Sequence, residues 1–243
     1  MKTAEASSEA VYQAALMNYL VSMARTVETN VNHALDALIS RNESLAGEVF
    51  LLEPRVNVME IIIDDHAVQL LRQGNHSDED IRLVVATQKI TNDLERVGDL
   101  AVNIARCVVA LTALPGVEAP QELKPMTEAV RAMFSRSLGA LIFRNVDLAG
   151  EVLRSDDLVD SYRDQLFERL LRQMSDEPSS VNYNMHFILT TRFLERIADH
   201  TTNIAEDIIF WVRGQDVRHG RALAQPSQGP GTHTVRSAIA SST

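Results

Sequence analysis

The chain has 243 residues, 45% of them apolar, a formal net charge of −10 and one cysteine, Cys107. Length and apolar content are typical of a globular protein of two domains, and an acidic chain without a basic block argues against nucleic-acid binding. A lone cysteine cannot form an internal disulfide, and neither a signal peptide nor an apolar stretch of about eighteen residues is evident, which favours a cytoplasmic protein.

The apolar periodicity predicts six helices, over residues 8–40, 43–73, 78–113, 122–144, 146–174 and 180–213. Asn42 and Asn145 are expected to cap the second and fifth helices, and Ser77 with Asp80 is expected to form a capping box for the third. Apolar residues recur at alternating spacings of three and four, the pattern of antiparallel helical bundles joined by short turns. No strand is predicted.

Two segments of the chain each occur a second time as an internal repeat. The string at 94–99, LERVGD, returns at 194–199 as LERIAD, and the Asn-Ile-Ala at 103–105 returns at 203–205. A second pair, at 37–49 and 140–152, shares ALI, RN and LAGEV. A repeat of about a hundred residues predicts an all-α fold of two tandem antiparallel three-helix bundles. The expected boundaries are 1–115 for the first repeat and 116–213 for the second, followed by a disordered tail at 214–243 that is rich in Gly, Ser and Pro.

A row of acidic residues is present in both copies. Glu95 and Asp99 lie four apart, as do Glu195 and Asp199, and the heptad pattern places both pairs on the face away from the apolar seam. Carboxylates at this spacing can share hard metal ions if a second helix supplies more oxygen ligands. The preceding helix of each repeat carries such residues, namely Glu53, Asn57, Glu60 and Asp64 in the first and Asp156 and Asp160 in the second. Either a solvated helix face or a metal site explains the pattern.

These strings, together with VNVMEIIID at 56–64 and WVRGQDVRH at 211–219, resemble the signature segments of the PhoU family. The resemblance implies a cytoplasmic, non-enzymatic protein of two three-helix bundles that represses high-affinity phosphate uptake and the phosphate-starvation response. The implied partners are a phosphate ABC transporter ATPase and a sensor histidine kinase, with membrane association only through them, and a homodimer is a further implication.

The resemblance also implies metal ions, with iron, zinc or magnesium as candidates. Carried over by position, the ligands are Glu95, Asp99, Glu195 and Asp199, with contributions from Glu60, Asp156 and Asp160. Asn57 and Leu100 stand where the second repeat has Asp160 and His200, so the second repeat is predicted to be the better metal site. His200 itself is expected to flank the acidic row rather than to bind an ion.

Two other functions are compatible with the pattern. A carboxylate-bridged metalloenzyme or a metal-storage bundle would use the same carboxylates, although the Glu-x-x-His strings of di-iron bundles are missing. A structural helical repeat protein without any ion would use the carboxylates only to keep the helix face solvated.

Overall fold

The computed structural model describes residues 2–74, 76–114 and 116–218. It contains six α-helices in chain order and, among the described residues, no strand. The helices are α1 (Lys2–Ser40), α2 (Glu43–Leu71), α3 (Asp78–Thr112), α4 (Leu123–Phe143), α5 (Val146–Asp176) and α6 (Val181–Arg213), with one short 3-10 helix at Pro178–Ser180. The predicted all-α class and the six helices are confirmed. Residues 219–243 of the predicted disordered tail lie outside the described residues.

The helix starts follow from the capping residues that the sequence predicted. The side chain of Asn42 accepts hydrogen bonds from the backbone N–H groups of Ser44 and Leu45, and Asn145 does the same for Asp147 and Leu148. The hydroxyl of Ser77 accepts from the N–H of Asp80, whose carboxylate accepts from the N–H of Ser77. These bonds satisfy donors that the first turn of a helix leaves free.

The two repeats place an arginine at the same unusual backbone position. Arg41 and Arg144, each at the end of the first helix of its repeat, have φ angles of 52° and 49° in the left-handed region. Both side chains reach the end of the third helix in the same repeat. Arg41 donates to the carbonyl of Leu114, and the guanidinium of Arg144 lies 4.7 Å from the ring centre of Trp211. Each arginine thereby ties two parallel helices together at one end of its bundle.

The two repeats share one hydrophobic core. Helices α1–α3 pack on one another, as do α4–α6. Across the repeats, α3 packs on α6 as extensively as α1 packs on α2, and α1 also contacts α4. Buried apolar side chains form one cluster that runs through both repeats. Helices α3 and α6 are therefore central and each touches three other helices, whereas α2 and α5 lie on the outside.

Candidate functional site

The carboxylates Glu53, Glu60, Glu95 and Asp99 form one electrostatic neighbourhood where α2 packs on α3, which we call the first acidic groove. The side chain of Glu95 is only 18% exposed. Burial raises the pKa of Glu95, and the neighbouring charges of Asp99, Glu60 and Glu53 raise it further, with Arg96 opposing them. The groove therefore concentrates negative charge that the chain itself only partly compensates.

An open cavity of about 260 Å³ adjoins this groove and is lined by Phe50, Glu53, Asp99, Val102, Asn103 and Arg106. The guanidinium of Arg106 donates to the side-chain oxygen of Asn103 at 2.9 Å. Arg96 is half exposed and contacts Glu95 at 3.3 Å and Asp99 at 3.8 Å, along the surface of its own helix. Space beside carboxylate oxygens is what a hydrated cation requires.

The acidic row is less exposed than its heptad position suggested. Glu95 and Glu195 are 18% and 25% exposed, because α2 and α5 cover the face of α3 and α6 that a single apolar seam would leave in water. The row therefore lies away from the apolar seam, as predicted, but is partly covered by α2 and α5 at these two residues. A heptad seam describes one packed face, whereas α3 and α6 are packed against three helices each.

The equivalent second acidic groove lies between α5 and α6 and contains Asp156, Asp160, Glu195 and Asp199. Burial raises the pKa of both Asp156 and Asp199. The charges of Asp160 and Glu195 raise both pKa values further, and Asp156 adds to the rise at Asp199. The structure therefore brings the four predicted ligands of the second repeat into one electrostatic neighbourhood.

This second groove also contains a positively charged side chain, that of Arg163, which sequence reasoning missed. Nη1 of Arg163 lies 2.7 Å from Oδ1 of Asp160 and 3.0 Å from Oε1 of Glu195, so one guanidinium bridges α5 and α6. Burial would lower the pKa of Arg163, but hydrogen bonds to Asp164 and Glu195 outweigh it and raise that pKa. Aligning 140–152 with 37–49 puts Arg163 opposite Glu60, and this exchange of charge was the signal available in the sequence.

Neither groove presents a finished ligand set. Among the residues that the structure describes, no three His, Cys, Asp or Glu side chains are arranged to hold a metal ion. The donor chemistry of the first groove nevertheless fits a hard cation, since the charges of Glu53, Glu60 and Asp99 all act on Glu95. Two of these carboxylates, Glu53 and Asp99, line the adjoining cavity, and Arg106, which also lines it, donates to Asn103. The second groove does not fit in the same way, because Arg163 already contacts two of its four carboxylates.

A third polar group lies where α3 meets α6. Nδ1 of His200 is 2.7 Å from Oδ1 of Asp93, which leaves the imidazole turned toward α3. Lys89 donates to Oδ1 of Asp207 at 2.9 Å, and both Asp93 and Asp207 are buried. A cavity of about 480 Å³ adjoins these pairs. Sequence reasoning did not single out Lys89, Asp93 or Asp207; the available signal was that their repeat equivalents, Leu189, Phe193 and Cys107, are uncharged.

The chain also matches known proteins over most of its length. The model of the PhoU domain matches twice, at residues 20–108 and 123–208. The chain belongs to the PhoU family. A phosphate-specific transport system accessory protein PhoU homolog of Pseudomonas aeruginosa is 35% identical over 205 residues, 83% of this chain and 84% of the relative. A homolog of the same name from Clostridium acetobutylicum is 34% identical over 203 residues, 83% of this chain and 93% of the relative.

The fold agrees with a solved member of the PhoU family. The crystal structure of PhoU from Pseudomonas aeruginosa superimposes with a TM-score of 0.80 at 33% sequence identity, covering 84% of this chain and 99% of that one. The two PhoU domains contain the first and second acidic grooves, one in each. No helix of the described residues is long and apolar enough to cross a membrane.

Proposed function

We propose that this PhoU protein is a negative regulator of high-affinity phosphate uptake and of the phosphate-starvation response. The observation that carries the proposal is the pair of PhoU domains, with about a third of residues identical to proteins named phosphate-specific transport system accessory proteins. The protein acts by binding partners and not by catalysis, from the cytoplasmic side of the membrane. Its partners are the ATPase of a phosphate ABC transporter and a sensor histidine kinase, and it works as a homodimer.

The metal-binding part of the proposal concerns the first acidic groove. Glu60, Glu95 and Asp99 hold a divalent or trivalent cation, with Glu53 at the margin of the adjoining cavity. This is supported by the pKa of Glu95, which is raised by burial and by the charges around it. Binding of a cation therefore stabilises the ionised groove. Side-chain rotations of Glu60 and Asp99 complete the ligand set, since both side chains reach solvent.

A cation held there supplies charge that joins α2 to α3. Because both helices carry carboxylates into the groove, the ion stabilises their close packing and disfavours any arrangement in which they separate. A surface that includes α2 would then differ between the loaded and the empty protein. Phosphate sensing is indirect in this scheme and runs through the partners.

The regulatory function is tested by deleting the gene in its own host under phosphate-replete growth and following a phosphate-starvation reporter. We expect the reporter to become active and to be repressed again by the wild-type chain. A reporter that stays silent in the deletion strain contradicts the regulatory function. A phosphoester or redox turnover that is lost in Glu195→Gln would instead support the metalloenzyme.

The metal proposal needs a separate measurement on purified, untagged protein. Mn²⁺ titration and elemental analysis of the wild type and of Glu95→Gln are compared with Glu128→Gln, an exposed carboxylate on α4. We expect the Glu95 variant to lose the ion and the control to keep it. Equal metal content in all three proteins removes the first groove as a site.

A further inference from the structure

The two acidic grooves differ in the sign of one residue. Glu60 on α2 and Arg163 on α5 occupy equivalent positions when 140–152 is aligned with 37–49. In the first repeat this position adds a carboxylate to the neighbourhood of Glu95. In the second repeat it supplies a guanidinium that contacts Glu195, the equivalent of Glu95. The exchange of Glu60 for Arg163 therefore replaces a side chain that can bind a cation with one that is itself positively charged.

The position of Arg163 is that of a bridging ion. Its Nη1 is shared by Asp160 of its own helix and Glu195 of α6, at 2.7 and 3.0 Å. Its Nε and Nη2 both lie 3.0 Å from Oδ1 of Asp164, which fixes the other side of the guanidinium. Charge-assisted hydrogen bonds of this kind are about twice as strong as neutral ones.

Among the described residues of the first repeat, no equivalent bridge is seen. Arg96 is the arginine recorded in contact with Glu95 and Asp99, and it belongs to the same helix as both carboxylates. Its contacts are longer, at 3.3 and 3.8 Å, and its side chain is 53% exposed. Arg96 can therefore swing into solvent without breaking any recorded contact between α2 and α3, whereas Arg163 cannot leave without breaking a link between α5 and α6.

A metal ion entering the second groove would meet two obstacles. Oδ1 of Asp160 and Oε1 of Glu195 could coordinate the ion only after giving up their hydrogen bonds to the guanidinium. The guanidinium would then stand beside the metal as a like charge, which disfavours binding unless the side chain is expelled.

We propose that Arg163 is a built-in counter-cation that takes the place of a metal ion in the second repeat, so that metal loads only in the first. The inference rests on the metal-binding part of the proposed function. It gives different roles to two grooves of common origin. In the first groove the link between α2 and α3 depends on a bound metal ion, whereas in the second groove Arg163 links α5 to α6 at all times.

The experiment compares the full-length wild type with Arg163→Gln, and with Arg172→Gln as a matched control. Arg172 lies on the same helix and is recorded with Glu168 as its ion-pair partner, on an exposed surface. Each protein is stripped with EDTA and titrated with Mn²⁺ by calorimetry, and its thermal unfolding is followed with and without Mn²⁺. We expect Arg163→Gln to bind one more equivalent of Mn²⁺ than the wild type and to gain several degrees more in Tm.

Two further variants test which groove is loaded. Adding Glu195→Gln to Arg163→Gln should abolish the extra equivalent, and Arg163→Lys, which keeps the charge, should bind as the wild type does. The inference is overturned if Arg163→Gln binds no more Mn²⁺ than the wild type, or if Glu195→Gln alone removes the ion from the wild-type protein.

The outcomes separate this inference from the proposed function. A wild type that binds no Mn²⁺, beside an Arg163→Gln variant that binds one equivalent, supports the role of Arg163 in the second groove but contradicts metal loading of the first groove and the metal-binding part of the proposed function. The reporter assay in cells addresses regulation alone, because it does not measure metal content.

Discussion

Nδ1 of His200 on α6 lies 2.7 Å from Oδ1 of Asp93 on α3, and this pair joins the two repeats through a region of low exposure. Since a carboxylate oxygen only accepts, the imidazole N–H at Nδ1 must be the donor. Asn203 reaches the same oxygen with its Nδ2 at 3.4 Å, a longer contact. His200 therefore connects the repeats instead of joining the acidic row that precedes it.

Removing His200 should weaken the contact between the repeats. We expect His200→Ala to lower the free energy of unfolding by about 1–3 kcal/mol, because Asp93 remains buried with a poorer donor. Urea unfolding of His200→Ala, Asp93→Asn and the double variant gives the coupling between the two residues. Additive effects of the two single substitutions would show that the hydrogen bond contributes nothing measurable.

The Lys89–Asp207 pair should make stability depend on pH. Burial raises the pKa of Asp207, and the hydrogen bond from Lys89 lowers it. In Lys89→Met the pKa of Asp207 rises further. The variant therefore keeps its full stability below 3.8, the unfolded pKa of Asp207, and loses stability as pH rises through the folded pKa. We expect a cost of about 2 kcal/mol at pH 7, reduced from that of a fully buried pair because Lys89 is partly exposed.

Urea unfolding of the wild type and of Lys89→Met at pH 7 and near pH 3.8, the unfolded pKa of Asp207, measures this effect. Adding Asp207→Asn should restore most of the stability at pH 7, since no buried charge then remains. If Lys89→Met is equally destabilised at both pH values, the lost contact of the Lys89 ammonium with the Phe210 ring explains the cost and the buried charge of Asp207 does not.

Glu95 offers a case in which removing a charge should stabilise the fold. Its folded pKa lies above the ordinary 4.5, so the ionised carboxylate costs free energy at pH 7 and costs none well below pH 4.5. In EDTA at pH 7 we expect Glu95→Gln to raise Tm by about 1–3 °C, a gain limited by solvent screening. The gain should shrink as pH falls through the folded pKa and should be absent well below 4.5. A lower Tm in EDTA would mean that the contact with Arg96 outweighs the repulsion.

The two asparagine caps should contribute equally. Asn42→Ala and Asn145→Ala should each cost about 1 kcal/mol, because each removes the acceptor for two backbone N–H groups. Asn18→Ala, an exposed position within α1, should change stability by less than about 0.5 kcal/mol. Unfolding in guanidinium measures all three, and a loss at Asn18 as large as at the caps would contradict the capping argument.

The fold was largely predictable from the sequence because its signals are local. The caps at Asn42, Ser77 and Asn145 depend on residues within one turn, and the six helices follow from periodicity along each segment. The repeats, visible in the two LER strings, then dictate that the three-helix pattern occurs twice. None of these steps requires knowledge of which helix meets which.

The site was less predictable, since its decisive contacts join residues that are far apart in sequence. Arg163 and Glu195 meet only because α5 packs on α6. The prediction that the second repeat is the better metal site is based on its carboxylates alone and does not include their contact with Arg163. Asp93 and Lys89 escaped notice for the same reason: a heptad pattern does not reveal that α3 has a second packed face. Comparing equivalent positions of the repeats for changes of charge would have detected all three.

The Lys89–Asp207 and Asp93–His200 pairs lie in the N-terminal half of α3 and the C-terminal half of α6, and this position has a consequence for assembly. The two helices run antiparallel, with Lys89 opposite Asp207 and Asp93 opposite His200. If two copies of α3 met in the same register, Lys89 would face Cys107 and Asp93 would face Leu100. Two copies of α6 would set Asp207 against Leu189. Packing α3 on α3, or α6 on α6, would thus bury charged side chains without a partner of opposite charge. The contact between the two different repeats is therefore favoured over a contact between two copies of the same repeat.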